Sequence, residues 1–200
     1  MIVLALDTST PDGSVAVSAF GEIAFKQHFR ADRSHSSALF SALEKARGYA
    51  GRFDRVAVGL GPGSYAGVRI GIAAAMGINF ILGAELIGIP SAAALDVVDE
   101  DYFAIGDARR GAYYFTWLHR RIPQDGPRLV TEGELREEIA ARALPVYATE
   151  PLAAFPSVQI AQPSALVLAD MAVEGIGIVQ TGDLEPLYLR EPHITKPKAR

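Results

Sequence analysis

The stretch Asp7-Thr8-Ser9-Thr10 sets one carboxylate and three hydroxyls at the end of an apolar run, residues 2–6. A carboxylate at a strand end can face a metal-phosphate complex, and the hydroxyls and amides beside it can hold phosphate oxygens. The same residues can instead close a polar strand end by hydrogen bonds to their own backbone. A second candidate is Gly59-Leu60-Gly61-Pro62-Gly63-Ser64, which follows the apolar residues Val56, Ala57 and Val58 and precedes a long helix-compatible segment. Strand, glycine turn and helix N-terminus make either an anion site or a tight packing corner, and Ser64 can cap the helix.

The turn matches a dinucleotide fingerprint in letters, as Gly61-x-Gly63-x-x-Ala66. Three features oppose that reading: Pro62 removes an amide, a strand meander precedes the turn, and Glu85 stands at the start of the next strand rather than its end. A phosphate loop is excluded, since Gly-Lys-Ser/Thr is absent and no lysine lies between Lys45 and Lys196. His28, His35, His119 and His193 include no i,i+4 pair, so no helix face carries two histidine ligands, and no metal site is expected. His35 reads as a cap-region or contact residue. No G-x-S-x-G elbow appears. Asp107-Ala108-Arg109-Arg110 is either a ligand loop or a hairpin held by an aspartate–arginine contact. The pairs Arg109-Arg110 and Arg120-Arg121 read as solvated surface able to touch phosphate.

The elements that must position these residues follow from periodicity. Residues 2–6, 14–18 and 23–29 are three strands in series, an antiparallel meander with turns at Pro11-Asp12-Gly13 and Gly21. Leu39, Ala42, Leu43 and Ala46 predict an amphipathic helix over residues 34–50. The helix after Ser64 is apolar nearly all round. Val68, Ile72, Ala75 and Met76 fall on one face, and Ile70, Ala74, Gly77, Ile78 and Ile81 on another, so it is buried on more than one side. Arg69 and Asn79 interrupt it too much for a membrane span. A strand at residues 86–89 ends at Pro90, giving βββαβαβ with a short helix after Ser91. In the second half, residues 102–105, 112–118, 146–148 and 158–160 are strands. Thr131 and Glu134 form a capping box for a helix through Arg142, and residues 164–172 are helical.

Half of the 200 residues are hydrophobic and 21% are charged, enough to fold without staples, and the absence of cysteine excludes disulfides and thiolate chemistry. A net charge of −4 argues against holding nucleic acid by bulk electrostatics. Asp7 interrupts the first apolar run, so no signal sequence is read and the cytoplasm is expected.

Leu4-Ala5-Leu6-Asp7-Thr8-Ser9-Thr10, the RSHSSAL stretch from Arg33 to Leu39, GPGSYAGVRIG from Gly61 to Gly71, DARRGAYY from Asp107 to Tyr114 and PLYLR from Pro186 to Arg190 occur in one order. Together they resemble the TsaB (YeaZ) family, the non-catalytic paralogues in bacterial synthesis of threonylcarbamoyladenosine on tRNA. The resemblance covers almost the whole chain, and the glycine-turn segment is its most specific part. It implies an α/β chain with the two-lobed ASKHA fold (actin, Hsp70, sugar kinases; ribonuclease H-like). Residues 1–100 would form the first lobe, and 101–200 a smaller second lobe and tail. It implies a scaffold or dimerisation subunit in the cytoplasm, pairing with itself when alone and with the TsaD catalytic subunit and the TsaE ATPase in the complex. The tRNA would be contacted mainly through that complex. No catalytic residues and no cofactor are then expected, with Asp7, Thr8, Ser9, Gly61 and Gly63 as a vestigial ATP/ADP site. The alternative is a small ATP-binding enzyme, ATPase or kinase-like, built on the same five residues.

Leu39 and Leu43 from the first helix and Val68, Ile72 and Met76 from the second are expected to form a joint partner face. On that reading Ile72→Glu leaves a folded monomer that no longer binds. Two departures stand out. Ala66 replaces the family's usual Thr, removing a hydroxyl from the turn, and the second half is short. The catalytic relative's H-x-x-x-H is absent, which fits a partner role better than the old glycoprotease label.

Overall fold

The computed structural model describes residues 1–30 and 35–189. Strands β1 (Ile2–Asp7), β2 (Asp12–Ala19) and β3 (Glu22–Arg30) form the expected antiparallel meander. Helix α1 (His35–Arg47) leads to β4 (Arg55–Gly59), which lies parallel to β1. Helix α2 (Tyr65–Leu82) crosses over to β5 (Glu85–Ile89), parallel to β4. Ser64 starts α2 by accepting from the Gly67 amide at 3.2 Å, and Gly83 stops it in a left-handed conformation with φ 65°.

After a 3₁₀ turn at Ser91–Ala94, a second sheet is built from β6 (Asp101–Asp107), β7 (Ala112–His119) and β8 (Ile122–Thr131). Helix α3 (Glu132–Arg142) opens on the predicted capping box. Thr131 Oγ1 accepts from the Glu134 amide while the Glu134 carboxylate accepts from the Thr131 amide. Strands β9 (Val146–Ala148) and β10 (Gln159–Ile160) complete that sheet, in the order β10-β9-β6-β7-β8. Helix α4 (Ala165–Glu174) and β11 (Gln180–Thr181) end the described chain.

Two expectations are corrected. Strand β8 is not among the expected strands, and it holds Pro123, Gly126 and Pro127, residue types that disfavour a strand interior. It exists as the outermost strand, where a proline costs no ladder bond on the open side, and its pairing with β7 shifts register twice. A boundary at residue 100 separates neither the sheets nor the packing completely. Strand β11 joins β5 in the first sheet, giving the order β11-β5-β4-β1-β2-β3, and α4 packs on β1, β2 and β4.

The first sheet is therefore covered on both faces, which is why β1 reads as a continuous apolar run. Leu4 and Leu6 meet Leu39, Ala42, Val68 and Ile72 of α1 and α2. Val3 and Ala5 point the other way, into a core that α4 shares with Tyr102, Ala104 and Leu118 of the second sheet. A third core, with Phe103, Ile105 and Phe115, lies under α3. The Arg55 guanidinium ties these layers by holding the Glu85 carboxylate at 2.6 Å and donating to the Ala172 carbonyl near the end of α4.

Candidate functional site

The five candidate ligand residues converge on one corner, where the end of β1 meets the glycine turn. Asp7 Oδ1 accepts from the Ser9 amide at 2.7 Å and the Ser9 hydroxyl at 2.6 Å. The Ser91 hydroxyl accepts from the Gly61 amide at 3.0 Å, and Asp7 Oδ2 has no hydrogen-bond partner among the described residues. Gly59 is required here, since a Cβ on it would stand 1.8 Å from Asp7 Oδ2. Burial pushes the Asp7 carboxyl above its ordinary range, against the opposing pull of Ser9 and Ser91.

This carboxyl is 1% exposed, turned into the sheet and away from solvent. A cleft of about 850 Å³ lies between the lobes, walled by Ser9, Thr10, Pro62, Gly63 and Ser64 on one side and Asp107, Arg109 and Thr149 on the other. Of the five candidates, Ser9 and Gly63 reach the cleft wall, while Asp7, Thr8 and Gly61 lie behind it. A metal-phosphate complex needs a carboxylate that it can touch, and Asp7 offers none, so the residues present do not fit the ATP-site reading of this motif. The Asp107 hairpin is the aspartate–arginine alternative, with Oδ1 accepting from the Arg109 amide at 2.7 Å and Oδ2 held by the guanidinium at 3.0 Å. Among the described residues, no cluster of three or more His, Asp or Glu could hold a metal.

The anticipated partner face is placed differently. Leu39, Val68 and Ile72 are sealed in the first lobe's own core, Leu43 is half-buried against it, and Met76 alone of the five is open to solvent, at 40%. The open side of α2 carries Arg69, Ala73, Met76 and Phe80, with Ile81 beside them. Phe80 is 91% and Ile81 78% exposed, and Phe40 of α1 is also exposed. The signal for this side was Arg69. The one charged residue of α2 must reach water, and positions 73, 76 and 80 share its face. By length and apolarity α2 could span a membrane, with a mean hydropathy of 1.5 over its 18 residues. Its other face is packed on β4 and β1.

Tyr65 and Tyr188 stack at the cleft rim with ring centres 5.7 Å apart, and Arg69 donates to both hydroxyls. Leu187 donates its amide to the Leu60 carbonyl at 2.9 Å, so the Pro186-Leu187-Tyr188-Leu189 segment lies over the glycine turn. Arg33, Ser34, Arg190 and His193 lie outside the described residues, as does the His35 side chain. Arg121, expected as solvated surface, is half-buried. Its guanidinium donates to the carbonyls of Ala93, Leu95 and Val97 at 3.1, 3.0 and 3.2 Å.

Comparison with known proteins bears on both regions. The family model described as "TsaD: tRNA N6-adenosine threonylcarbamoyltransferase" matches residues 22–119. The tRNA threonylcarbamoyladenosine biosynthesis protein TsaB of Haemophilus influenzae is 35% identical over 134 residues. That match takes in 60% of this chain and 55% of the Haemophilus protein, so it spans about half of that relative's length. An uncharacterised protein of Mycobacterium bovis is 30% identical across 95% of this chain and 92% of its own. Among solved structures, a Pseudomonas aeruginosa protein described as similar to the peptidase YEAZ superposes with a TM-score of 0.76 at 25% identity, covering 94% of this chain and 99% of that one. YeaZ from the same organism superposes with a TM-score of 0.73 at 24% identity over the same shares. The fold of this chain is the two-lobed ASKHA fold expected from its sequence.

Proposed function

We propose, from the premise that this chain belongs to the TsaB (YeaZ) family, that it serves tRNA threonylcarbamoyladenosine synthesis as a non-catalytic scaffold subunit of the cytoplasm. The observation that carries this reading is the open apolar side of α2, with Met76, Phe80 and Ile81 presented to solvent on a rigid helix whose opposite side is packed. Large apolar side chains grouped on one exposed helix face mark a protein–protein contact. The occupant we assign is the TsaD-type catalytic subunit, with a second copy of this chain taking its place when the partner is missing and the TsaE ATPase joining the assembled pair. The catalytic subunit then carries out threonylcarbamoyl transfer to adenosine and supplies most of the tRNA contact. The sealed Asp7 supports the assignment, because the carboxylate of the strand-end motif does not line the cleft.

Reconstitution is the test. The catalytic subunit and the ATPase should modify tRNA at full rate with the wild-type chain and far more slowly with Phe80→Asp or with no chain added. Full-rate modification without the chain removes the proposed role. The cleft itself favours one rival, a nucleotide-binding enzyme, and calorimetry of the isolated chain with ATP and magnesium separates the two. Micromolar binding that is lost in Ser9→Ala would favour the rival.

A further inference from the structure

The chemistry-like motif at the end of β1 is used in a way that neither the scaffold assignment nor the nucleotide reading includes. Helix α2 does not merely lie on the sheet; its first half is docked on the backbone of residues 8 and 9. Thr8 Oγ1 donates to the Gly67 carbonyl at 2.8 Å, and the Ser64 amide donates to the Ser9 carbonyl at 2.6 Å. Three glycines one turn apart make the approach. A Cβ on Gly63 would stand 2.2 Å from the Ser9 carbonyl oxygen, on Gly67 2.1 Å from the Thr8 carbonyl oxygen, and on Gly71 2.4 Å from Thr8 Oγ1. Ordinary helix–sheet packing works through side chains with interaxial slack. Here backbone meets backbone, and the hydroxyl of Thr8 fixes the rotation of the helix about its own axis.

We infer that Thr8 and Ser9 are positioning residues for partner docking, which set the pose of α2 through Gly63, Gly67 and Gly71 and thereby aim Met76, Phe80 and Ile81. The inference rests on the docking role proposed above for that face. It explains why a phosphate-type hairpin is retained in a lobe whose Asp7 is sealed: its hydroxyls and carbonyls hold a helix instead of an anion. A purely structural role would change stability and leave the affinity of correctly folded protein untouched.

The experiment uses the full chain and its catalytic partner in calorimetric titration, with amide hydrogen exchange over residues 68–72 of the chain alone. Thr8→Val removes the hydroxyl at nearly constant volume, and Gly67→Ala inserts a methyl against the Thr8 carbonyl. Both are expected to speed exchange in that half of α2 and to weaken binding on the order of tenfold, while Thr8→Ser, which keeps the donor, behaves as wild type. If Gly67→Ala fails to fold, Thr8→Val with its Thr8→Ser control decides. Unchanged affinity in the folded variants, with Phe80→Asp still weakening binding roughly 30-fold, overturns the positioning role and leaves the docking face standing. Normal binding by Phe80→Asp overturns the docking face, and the positioning role falls with it.

Discussion

Asp7 is shut behind Gly59, Ser9 and Ser91, and desolvation outweighs the hydroxyls and amide that pull its pKa down. Its folded pKa therefore lies above the unfolded value of 3.8. The neutral form is the one the fold prefers, so the favourable contribution is complete below the unfolded pKa and fades as pH rises through the folded one. Asp7→Asn keeps an acceptor for Ser9 and places an amide where Oδ2 sits beside Ser91. Urea unfolding at several pH values should show this variant gaining on wild type as pH rises from the unfolded pKa toward the folded one; a loss across that window would contradict the account. Asp7→Ala leaves the Ser9 amide and hydroxyl unpaired and should cost about 1–3 kcal/mol at neutral pH. The strand-end motif and the glycine turn were legible as two separate candidates, and their union at one corner was what the family resemblance implied. The direction of the carboxyl was not legible, because it is shut in by Gly59 and Ser91, which lie far from Asp7 in sequence.

Helix α2 has two apolar sides with opposite fates, and two substitutions separate them. Ile72, 5% exposed between β-strands and α1, cannot accept a charge; Ile72→Glu should unfold the lobe, at a cost of about 4 kcal/mol or more. Phe80→Asp faces water and should leave the melting temperature near wild type while weakening partner binding roughly 30-fold, as loss of a central aromatic contact does. Sedimentation and partner titration of the two variants check both outcomes. Periodicity predicted a helix buried on more than one side, whereas one side lies open to solvent, and it did not tell which side was inward, since 3.6 residues per turn distributes apolar residues over both. The capping box at Thr131 was readable because it is local. Strand β8 was not, because its two prolines and Gly126 are tolerated only where an open edge removes the demand for ladder bonds.

The two lobes should unfold as one cooperative unit, because α4 and the core it shares bridge both sheets. Arg121 adds a polar tie, reaching from the β7–β8 turn to the carbonyls of the segment that joins the sheets. Trp117, the single tryptophan, reports on the second sheet, whereas far-ultraviolet dichroism reports on all elements. Their unfolding curves should coincide, and Arg121→Met should move both together by about 2–3 kcal/mol. Two separated transitions would show that the lobes melt independently. The return of α4 to the first sheet was not readable, since nothing local in residues 165–174 states which sheet they will cover. That return also sets a clock. Ser14 Oγ waits for the amide of Ala165, 151 positions later, and the β1–β2 face waits with it. A ribosome adding about 5–20 residues per second leaves that apolar face bare for on the order of ten seconds in every newborn chain, an interval in which it is open to aggregation until α4 emerges to cover it.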